Sequence, residues 1–140
     1  MNEKTLRVLE YEKIVNRLMD KAESELGKRL IKELKPSTSL VEVEELQRET
    51  EEALELVVKK GNPPLFGIYD ISQDLKRAEL GGMLMPVNLL KISDSLRVSR
   101  SLKGYMKELK EDEVSKFPII SGFINSLRVL KDIEDRINNA

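Results

Sequence analysis

The chain contains no cysteine, no histidine and no tryptophan, and only 4% of its residues are aromatic. Without cysteine the chain has neither a disulfide scaffold nor a zinc–thiolate site, a composition that fits a reducing compartment. Without histidine, the usual catalytic triads and histidine-containing metal sites are also excluded. We therefore expect no catalytic residue, no cofactor-binding residue and no metal ligand within this chain.

Long apolar runs and an excess of charge of one sign are also missing. No apolar stretch approaches the ~20 residues that span a bilayer, and the opening Met1-Asn2-Glu3-Lys4 lacks the apolar centre of a signal peptide. The net charge of -1 is not the strong basic excess of most free-standing nucleic-acid-binding domains. We expect a cytoplasmic protein without a membrane partner.

The chain is rich in charged and aliphatic residues at helical spacing. Its 140 residues are 35% charged and 40% hydrophobic, and a chain of this length forms one domain. The spacing predicts an all-α fold, an elongated bundle of about six helices without strands. The predicted helices cover approximately 6–22, 24–34, 40–60, 70–80, 86–109 and 118–138, with a charged loop at 110–113.

Residues with special backbone or capping properties mark the boundaries between these segments. Ser24 is suited to cap the second helix, and Gly27 in its first turn permits the close approach of another backbone. Pro36 ends that helix, Gly61 ends the third, and Asp70 caps the fourth. The candidate structural joint consists of Ser24, Gly27, Pro36, Gly81 and Gly82.

The third segment carries a heptad seam. Its members step by three and four residues, and the small side chains among them predict that a partner helix lies close. These residues are Val43, Leu46, Thr50, Ala53 and Val57. A free-standing helical protein–protein interaction module is therefore an alternative function, with this seam as the binding surface.

The fifth and sixth segments differ in how their apolar residues are arranged. In the fifth segment one face carries Ile92 and the nearly opposite face carries Leu102, which predicts a strut between two neighbours. The apolar stripe of the sixth segment runs almost to the last residue, which predicts a fragment that dimerises through this stripe. The aromatic side chains are too scattered to stack bases and are expected in the core: Phe66, Tyr69 and Tyr105.

Two groups of charged residues were weighed as functional sites. Glu45, Glu49 and Glu52 share a helix face, but helical carboxylate metal sites normally include histidine and several helices. A solvated face is favoured. The second group is a basic stripe on one side of the fifth segment that could follow nucleic-acid phosphates, although a solvated face again is favoured. It consists of Arg100, Lys103, Lys107 and Lys110.

Several motifs in fixed order resemble one protein family. Ser24-x-x-Gly27-Lys28-Arg29-Leu30, Leu34-Lys35-Pro36 and Val43-Glu44-Glu45-Leu46 resemble the core (lever) domain of MutS proteins. The order of the later motifs is similar to the N-terminus of the second-type bacterial MutS paralogue, which lacks the mismatch-reading domain. These are Pro63–Ile71, Leu75–Leu84, Leu96–Lys103 and the opening Asn2–Tyr11.

The resemblance implies that residues 1–140 are an N-terminal core (lever) domain that enters the clamp region after about residue 112. The family's proteins continue into a clamp, an ATPase that uses ATP and Mg, and often a nuclease domain. They form homodimers. They are assigned DNA binding with endonucleolytic suppression of homologous recombination, and the sensing and splitting of collided ribosomes. The motifs for these activities are not in this chain, which is expected to be mechanical and non-catalytic.

Overall fold

A computed structural model describes residues 3–140; Asn2, which opens the family-like N-terminus, lies outside them. Nine α-helices and no strand occur in that range, so the all-α prediction is confirmed with more helices than the six expected. The helices are α1 (Glu3–Val8), α2 (Tyr11–Met19), α3 (Glu25–Glu33), α4 (Leu40–Lys60), α5 (Ser72–Glu79), α6 (Pro86–Lys107), α7 (Glu111–Val114), α8 (Pro118–Ser126) and α9 (Lys131–Asn138).

The two long helices begin and end close to where local signals place them. Ser39 caps α4 through its hydroxyl, which accepts a hydrogen bond from the Glu42 backbone N–H at 3.4 Å. Gly61 follows the last turn of α4 with a φ of 86°, a conformation that glycine adopts without steric cost. Pro86 occupies the first turn of α6, where its missing N–H leaves no hydrogen bond unmade.

The hydrophobic core lies among the C-terminal half of α4, the second half of α6, and α8. On α6 the buried side chains recur at three- and four-residue steps, so one side of the helix faces this core. Val98 is completely buried. Burial of an aliphatic or aromatic side chain contributes about 1.5–3 kcal/mol. The core cluster contains Leu56, Val98, Leu102, Tyr105, Met106, Phe117 and Ile124.

The first predicted segment is two helices, which corrects the single helix expected over 6–22. Glu10 lies between α1 and α2 with a left-handed backbone, φ 52° and ψ 34°. The Lys13 ammonium donates a hydrogen bond to the Glu10 carboxylate at 2.5 Å. The spacing of apolar residues does not predict this break, because a single left-handed residue leaves the helical spacing within each of the two helices unchanged.

The sixth predicted segment is also divided, so the continuous helix over 118–138 is wrong. Leu127 is extended (φ -65°, ψ 141°) and ends α8, and α9 then turns back to pack on α6. The apolar stripe is therefore shared between two helices that contact α6. The charged stretch expected as a loop at 110–113 contains the one-turn helix α7.

The N-terminal helices α1–α3 are attached more loosely than the rest. Every described side chain from residue 4 to residue 55 is at least partly exposed. Helices α1, α2 and α3 contact one another in sequence, and the Tyr11 hydroxyl donates a hydrogen bond to the Leu34 carbonyl at 3.1 Å. Within residues 3–140, no helix combines the length and the apolar character needed to cross a bilayer.

Candidate functional site: the joint between the helices

The cap of α3 is built as the sequence predicts, but the close backbone approach expected at Gly27 is wrong, because its nearest neighbours are the side chains of Ser24 and Ala22. The Ser24 hydroxyl accepts a hydrogen bond from the Gly27 N–H at 3.0 Å, which satisfies one backbone donor of the first turn. A Cβ placed on Gly27 would lie 3.1 Å from the Ser24 oxygen, so the small residue keeps room for the capping hydroxyl. Pro36 follows α3 and lies between α3 and α4, with Leu34 already extended. These residues form the first bend of the joint.

The second bend follows α5 and closes with a double hydrogen bond. The Gly82 N–H donates to the Arg77 carbonyl and the Gly81 N–H donates to the Ala78 carbonyl, both at 2.9 Å. This is the Schellman arrangement, in which the residue after the cap takes a positive φ. Gly81 has a φ of 76°. At Gly82 an added Cβ would approach the Arg77 carbonyl oxygen to 3.0 Å, so both glycines are required by the turn.

The loop over residues 61–71, here called the joint loop, is fixed along α6 by polar contacts. The Tyr105 hydroxyl donates to the Gly61 carbonyl at 2.7 Å, and the Tyr69 N–H donates to the Ser95 hydroxyl at 3.2 Å. Between them, the Arg97 guanidinium donates to the Phe66 carbonyl at 3.1 Å. The three donors and acceptors on α6 span almost three turns. They hold the whole loop against one helix.

The aromatic side chains of the joint loop do not enter the core as a group. Phe66 is 87% exposed and Tyr69 is 39% exposed, which corrects their assignment to the core, whereas Tyr105 is buried. The backbone explains the outward turn at Phe66. Its carbonyl faces Arg97, and the next residue, Gly67, has a φ of 93° and would place a Cβ 2.6 Å from the Arg97 guanidinium.

One ion pair connects the joint loop to the N-terminal helices. The Arg29 guanidinium of α3 lies 2.5 Å from the Asp70 carboxylate. The same carboxylate accepts hydrogen bonds from the hydroxyl and the N–H of Ser72 at the start of α5. These Ser72 bonds, with Arg29 after them, lower the pKa of Asp70. The residue that precedes α5 is Ile71 and not Asp70, which corrects the predicted cap; Asp70 instead joins α3, the joint loop and the first residue of α5.

The glutamate cluster of α4 serves packing through one of its members. The Glu52 carboxylate accepts hydrogen bonds from the Ile119 N–H at 2.8 Å and the Ile120 N–H at 3.1 Å. Phe117, which precedes α8, offers no side-chain cap, so Glu52 caps α8 from a different helix. Glu45 is exposed and Glu49 is half-buried. Across residues 3–140, no group of three or more metal-ligating side chains has the geometry to hold an ion.

The four residues of the basic stripe do not have equivalent surroundings. The Arg100 guanidinium binds the Glu134 carboxylate of α9 in a two-pronged pair, at 2.7 and 3.1 Å. The Lys103 ammonium donates to the Asn125 carbonyl at 3.2 Å. Lys107 and Lys110 are exposed. Two of the four cations thus already contact this chain, and contact with nucleic acid stays a prediction.

The Arg100–Glu134 pair was not anticipated. Glu134 is 5% exposed, and the hydrogen bonds from Arg100 lower its pKa. A second polar contact, from the Ser93 hydroxyl to the Asn138 side-chain oxygen at 2.8 Å, joins the same two helices. A sequence signal did exist, because a glutamate lies four residues after Leu130 inside an apolar pattern, and buried carboxylates are normally paired.

The C-terminal end of α4 is held by two adjacent lysines. The Lys59 ammonium lies 2.6 Å from the Glu113 carboxylate of α7, whose pKa this hydrogen bond lowers. The Lys60 ammonium lies 2.5 Å from Glu108 and 4.8 Å from the Tyr105 ring centre. Burial raises the pKa of Tyr105, so its hydroxyl stays protonated and donates to Gly61. The described contacts position helices against one another.

Comparison with known proteins places this joint in a family. No protein-family model matches the chain. The sequence is 47% identical to the Endonuclease MutS2 of Clostridioides difficile over 140 residues, which is 100% of this chain and 18% of that protein. It is 45% identical to the Endonuclease MutS2 of Alkaliphilus metalliredigens over 98% of this chain and 17% of the relative. The Endonuclease MutS2 of Acetivibrio thermocellus is 46% identical over the same shares.

These similarities run through all the elements described above, from the N-terminal helices to α9, because 98–100% of the chain is matched. The chain spans 17–18% of the length of these curated relatives. The resemblance to the second-type MutS paralogue is confirmed: the chain belongs to the MutS2 family, of whose proteins it represents about one sixth.

Proposed function

We propose that this chain is the N-terminal lever (core) module of a MutS-family ATPase and that it transmits movement without performing chemistry. The supporting observation is α6, a 22-residue helix with different neighbours along its length. Its first half contacts the joint loop and α9 through Ser95 and Ser93. Its second half forms the core with α4 and α8, and Arg100 and Tyr105 extend the contacts with α9 and the joint loop. A rigid element fixed on several sides moves as a unit when one attached part moves.

The activity of the whole protein is part of the same proposal. The relatives are named endonucleases, which supports an endonuclease among the remaining domains. We propose that the full-length protein is a cytoplasmic homodimer that uses ATP and Mg. It binds DNA and suppresses homologous recombination, and it senses and splits collided ribosomes. Residues after about 112 lead toward its clamp. The basic stripe contributes Lys107 and Lys110 to nucleic-acid contact.

The lever proposal is tested by loosening the joint in the full-length protein. Glu52→Ala removes the cap of α8, whereas Glu55→Ala changes an exposed glutamate of the same helix. We expect Glu52→Ala to leave basal ATP hydrolysis unchanged and to reduce its stimulation by DNA or ribosomes several-fold, with Glu55→Ala unchanged in both. Equal stimulation in the two variants and the unmodified protein would contradict a lever role.

A second candidate function is supported by the exposure of the α4 seam, where Leu46 is 43% exposed, and of Leu54 next to the seam, which is 63% exposed. A free-standing interaction module would use this seam alone. The reading frame after codon 140 separates the two functions. A Gly-x-x-x-x-Gly-Lys-Ser/Thr stretch downstream supports the motor protein, and an early stop codon supports the interaction module.

A further inference from the structure

A groove runs beside the N-terminal two-thirds of α4. One wall is the heptad seam of that helix, and the other is formed by α2 and by the segment between α3 and α4. Its volume is about 750 Å³. The apolar and aromatic side chains in the walls leave a surface that none of the described helices covers. They are Tyr11, Leu34, Pro36, Val43, Leu46 and Leu54.

The groove has the dimensions and the floor that suit a helix. A helix is 10–12 Å in diameter, so about 750 Å³ corresponds to about one and a half turns seated between the walls. The small residue Thr50 lies on the seam, and its hydroxyl donates to the Leu46 carbonyl of its own helix at 2.9 Å. That hydroxyl is therefore already bonded within α4 and leaves no unpaired donor in the groove.

The borders of the groove are acidic. Glu49 and Glu51 line it on the α4 side, and one cation, Lys35, lines it on the facing wall. Glu42 and Glu44 precede those two glutamates by seven positions each, so they extend the two borders along the same sides of α4. Residues 40–58 contain seven glutamates and one arginine, Arg48. An apolar groove with two rows of carboxylates along its α4 wall and a single lysine on the facing wall favours a helix with an apolar face and basic flanks, and it disfavours an acidic one.

We propose that this groove is the docking site for a basic amphipathic helix supplied by the remaining part of the full-length protein. The source rests on the proposed function, in which this chain is one module of a longer protein. More than four-fifths of each matched relative lies outside the aligned segment, so most of the polypeptide that could cover the groove is there. Docking removes the exposed seam from water and pairs the acidic borders.

The experiment uses synthetic peptides of about 25 residues that tile the reading frame after codon 140. Their binding to the 140-residue chain is measured by fluorescence anisotropy at low salt and at high salt. The test variants are Leu46→Asp and the double variant Glu49→Lys with Glu51→Lys. The matched control is Glu45→Lys with Glu55→Lys, which changes the net charge equally at residues of α4 that do not line the groove. Circular dichroism checks that each variant stays helical.

We expect one peptide with an apolar face and basic flanks to bind, with an affinity that falls as salt rises. Binding should weaken about tenfold or more in both test variants, because they remove apolar contact or reverse the border charge, and change little in the control. The proposal is overturned if no peptide binds, or if test and control variants bind alike. An early stop codon would instead refute the proposed function, so the two failures are distinguishable.

Discussion

The N-terminal helices and the C-terminal helices of this chain contain similar proportions of aliphatic residues but bury them differently. Helices α6, α8 and α9 contain nine buried side chains, six of them hydrophobic, whereas α2 and α3 contain none. The C-terminal helices are held by apolar packing. The N-terminal helices are joined to the remainder by the Arg29–Asp70 ion pair and by partly exposed side chains. Under the proposed lever function, the C-terminal helices would be a stiff body and the N-terminal helices a movable attachment.

The test with the largest expected effect shortens one apolar side chain in each region and compares the losses in the free energy of unfolding. Phe117 is 2% exposed and Leu30 is 68% exposed. We expect Phe117→Ala to lower the free energy of unfolding by about 3–5 kcal/mol, because it leaves a cavity in the core. Leu30→Ala should change it by less than about 0.5 kcal/mol. Urea unfolding followed by circular dichroism measures both, and similar losses would contradict the division.

The next test concerns the polar contacts between α6 and α9, which are the Arg100–Glu134 ion pair and the Ser93–Asn138 hydrogen bond. Glu134→Ala leaves the Arg100 guanidinium without its carboxylate partner, and we expect a lower midpoint of thermal unfolding. A control is Asp135→Ala, at an exposed neighbour on the same helix whose ion pair with Lys131 is solvent-exposed. Thermal unfolding should show a clear decrease for Glu134→Ala alone. An equal decrease in both variants would contradict the claim that the Arg100–Glu134 pair contributes more to stability than an exposed ion pair.

The same carboxylate predicts a pH dependence. The folded-state pKa of Glu134 lies below its ordinary value of 4.5 because Arg100 donates hydrogen bonds to it. Its contribution to stability is therefore present above pH 4.5 and disappears as the pH falls through the lowered folded-state pKa. Glu134→Gln should lose less stability than the unmodified chain between neutral and acidic pH, measured by urea unfolding across that range. An identical pH profile would contradict this.

Removing one helix cap in each region tests the same difference between the N-terminal and C-terminal helices, with a smaller expected loss of stability. Ser24→Ala removes the cap of α3, and Glu52→Ala removes the cap of α8. Each should cost about 1 kcal/mol in local hydrogen bonding. The consequences should differ. Glu52→Ala lowers the midpoint of global unfolding, whereas Ser24→Ala increases amide exchange only within α1–α3. Loss of global stability in Ser24→Ala would show that the two regions unfold together.

The smallest effect is expected at the Arg29–Asp70 ion pair, which links α3 to the joint loop. Arg29→Gln breaks an ion pair between partly exposed side chains, 56% and 34% exposed, and such pairs contribute less than about 1 kcal/mol. We expect an unchanged midpoint of thermal unfolding and faster amide exchange in α3. Added salt should reproduce this change in the unmodified chain, because it screens exposed charges. Salt and substitution effects that add fully would contradict the assignment.

The parts of the fold that sequence predicted well depend on local signals. The predicted bounds of α4 match the observed bounds at both ends, because the residues that set them, Ser39 and Gly61, directly precede and follow the helix. The Gly81-Gly82 turn was predictable for the same reason. The break at Leu127 and the pairing of Arg100 with Glu134 were not, because they arise when α9 folds back on α6. The spacing of apolar residues predicts which face of a helix is buried, but it does not predict which other helix that face packs against.

The candidate site shows the same limit. Ser24 and Gly27 were identified as joint residues because a cap and a first-turn glycine are close in sequence. Asp70 was predicted as a cap, but its pairing with Arg29, 41 residues away, required the structure. The outward position of Phe66 follows from the Arg97 contact with its carbonyl, a tertiary contact that composition and spacing do not encode.

The most direct test of the two-region organisation is native-state amide hydrogen exchange followed by mass spectrometry on the 140-residue chain. Amides of α2 and α3 should exchange through local opening at free energies well below that of global unfolding. Those in the second half of α6 and in α8 should exchange only with global unfolding. If α3 and α6 have the same free energy of opening, the chain is one cooperative unit and the distinction between stiff body and movable attachment is wrong.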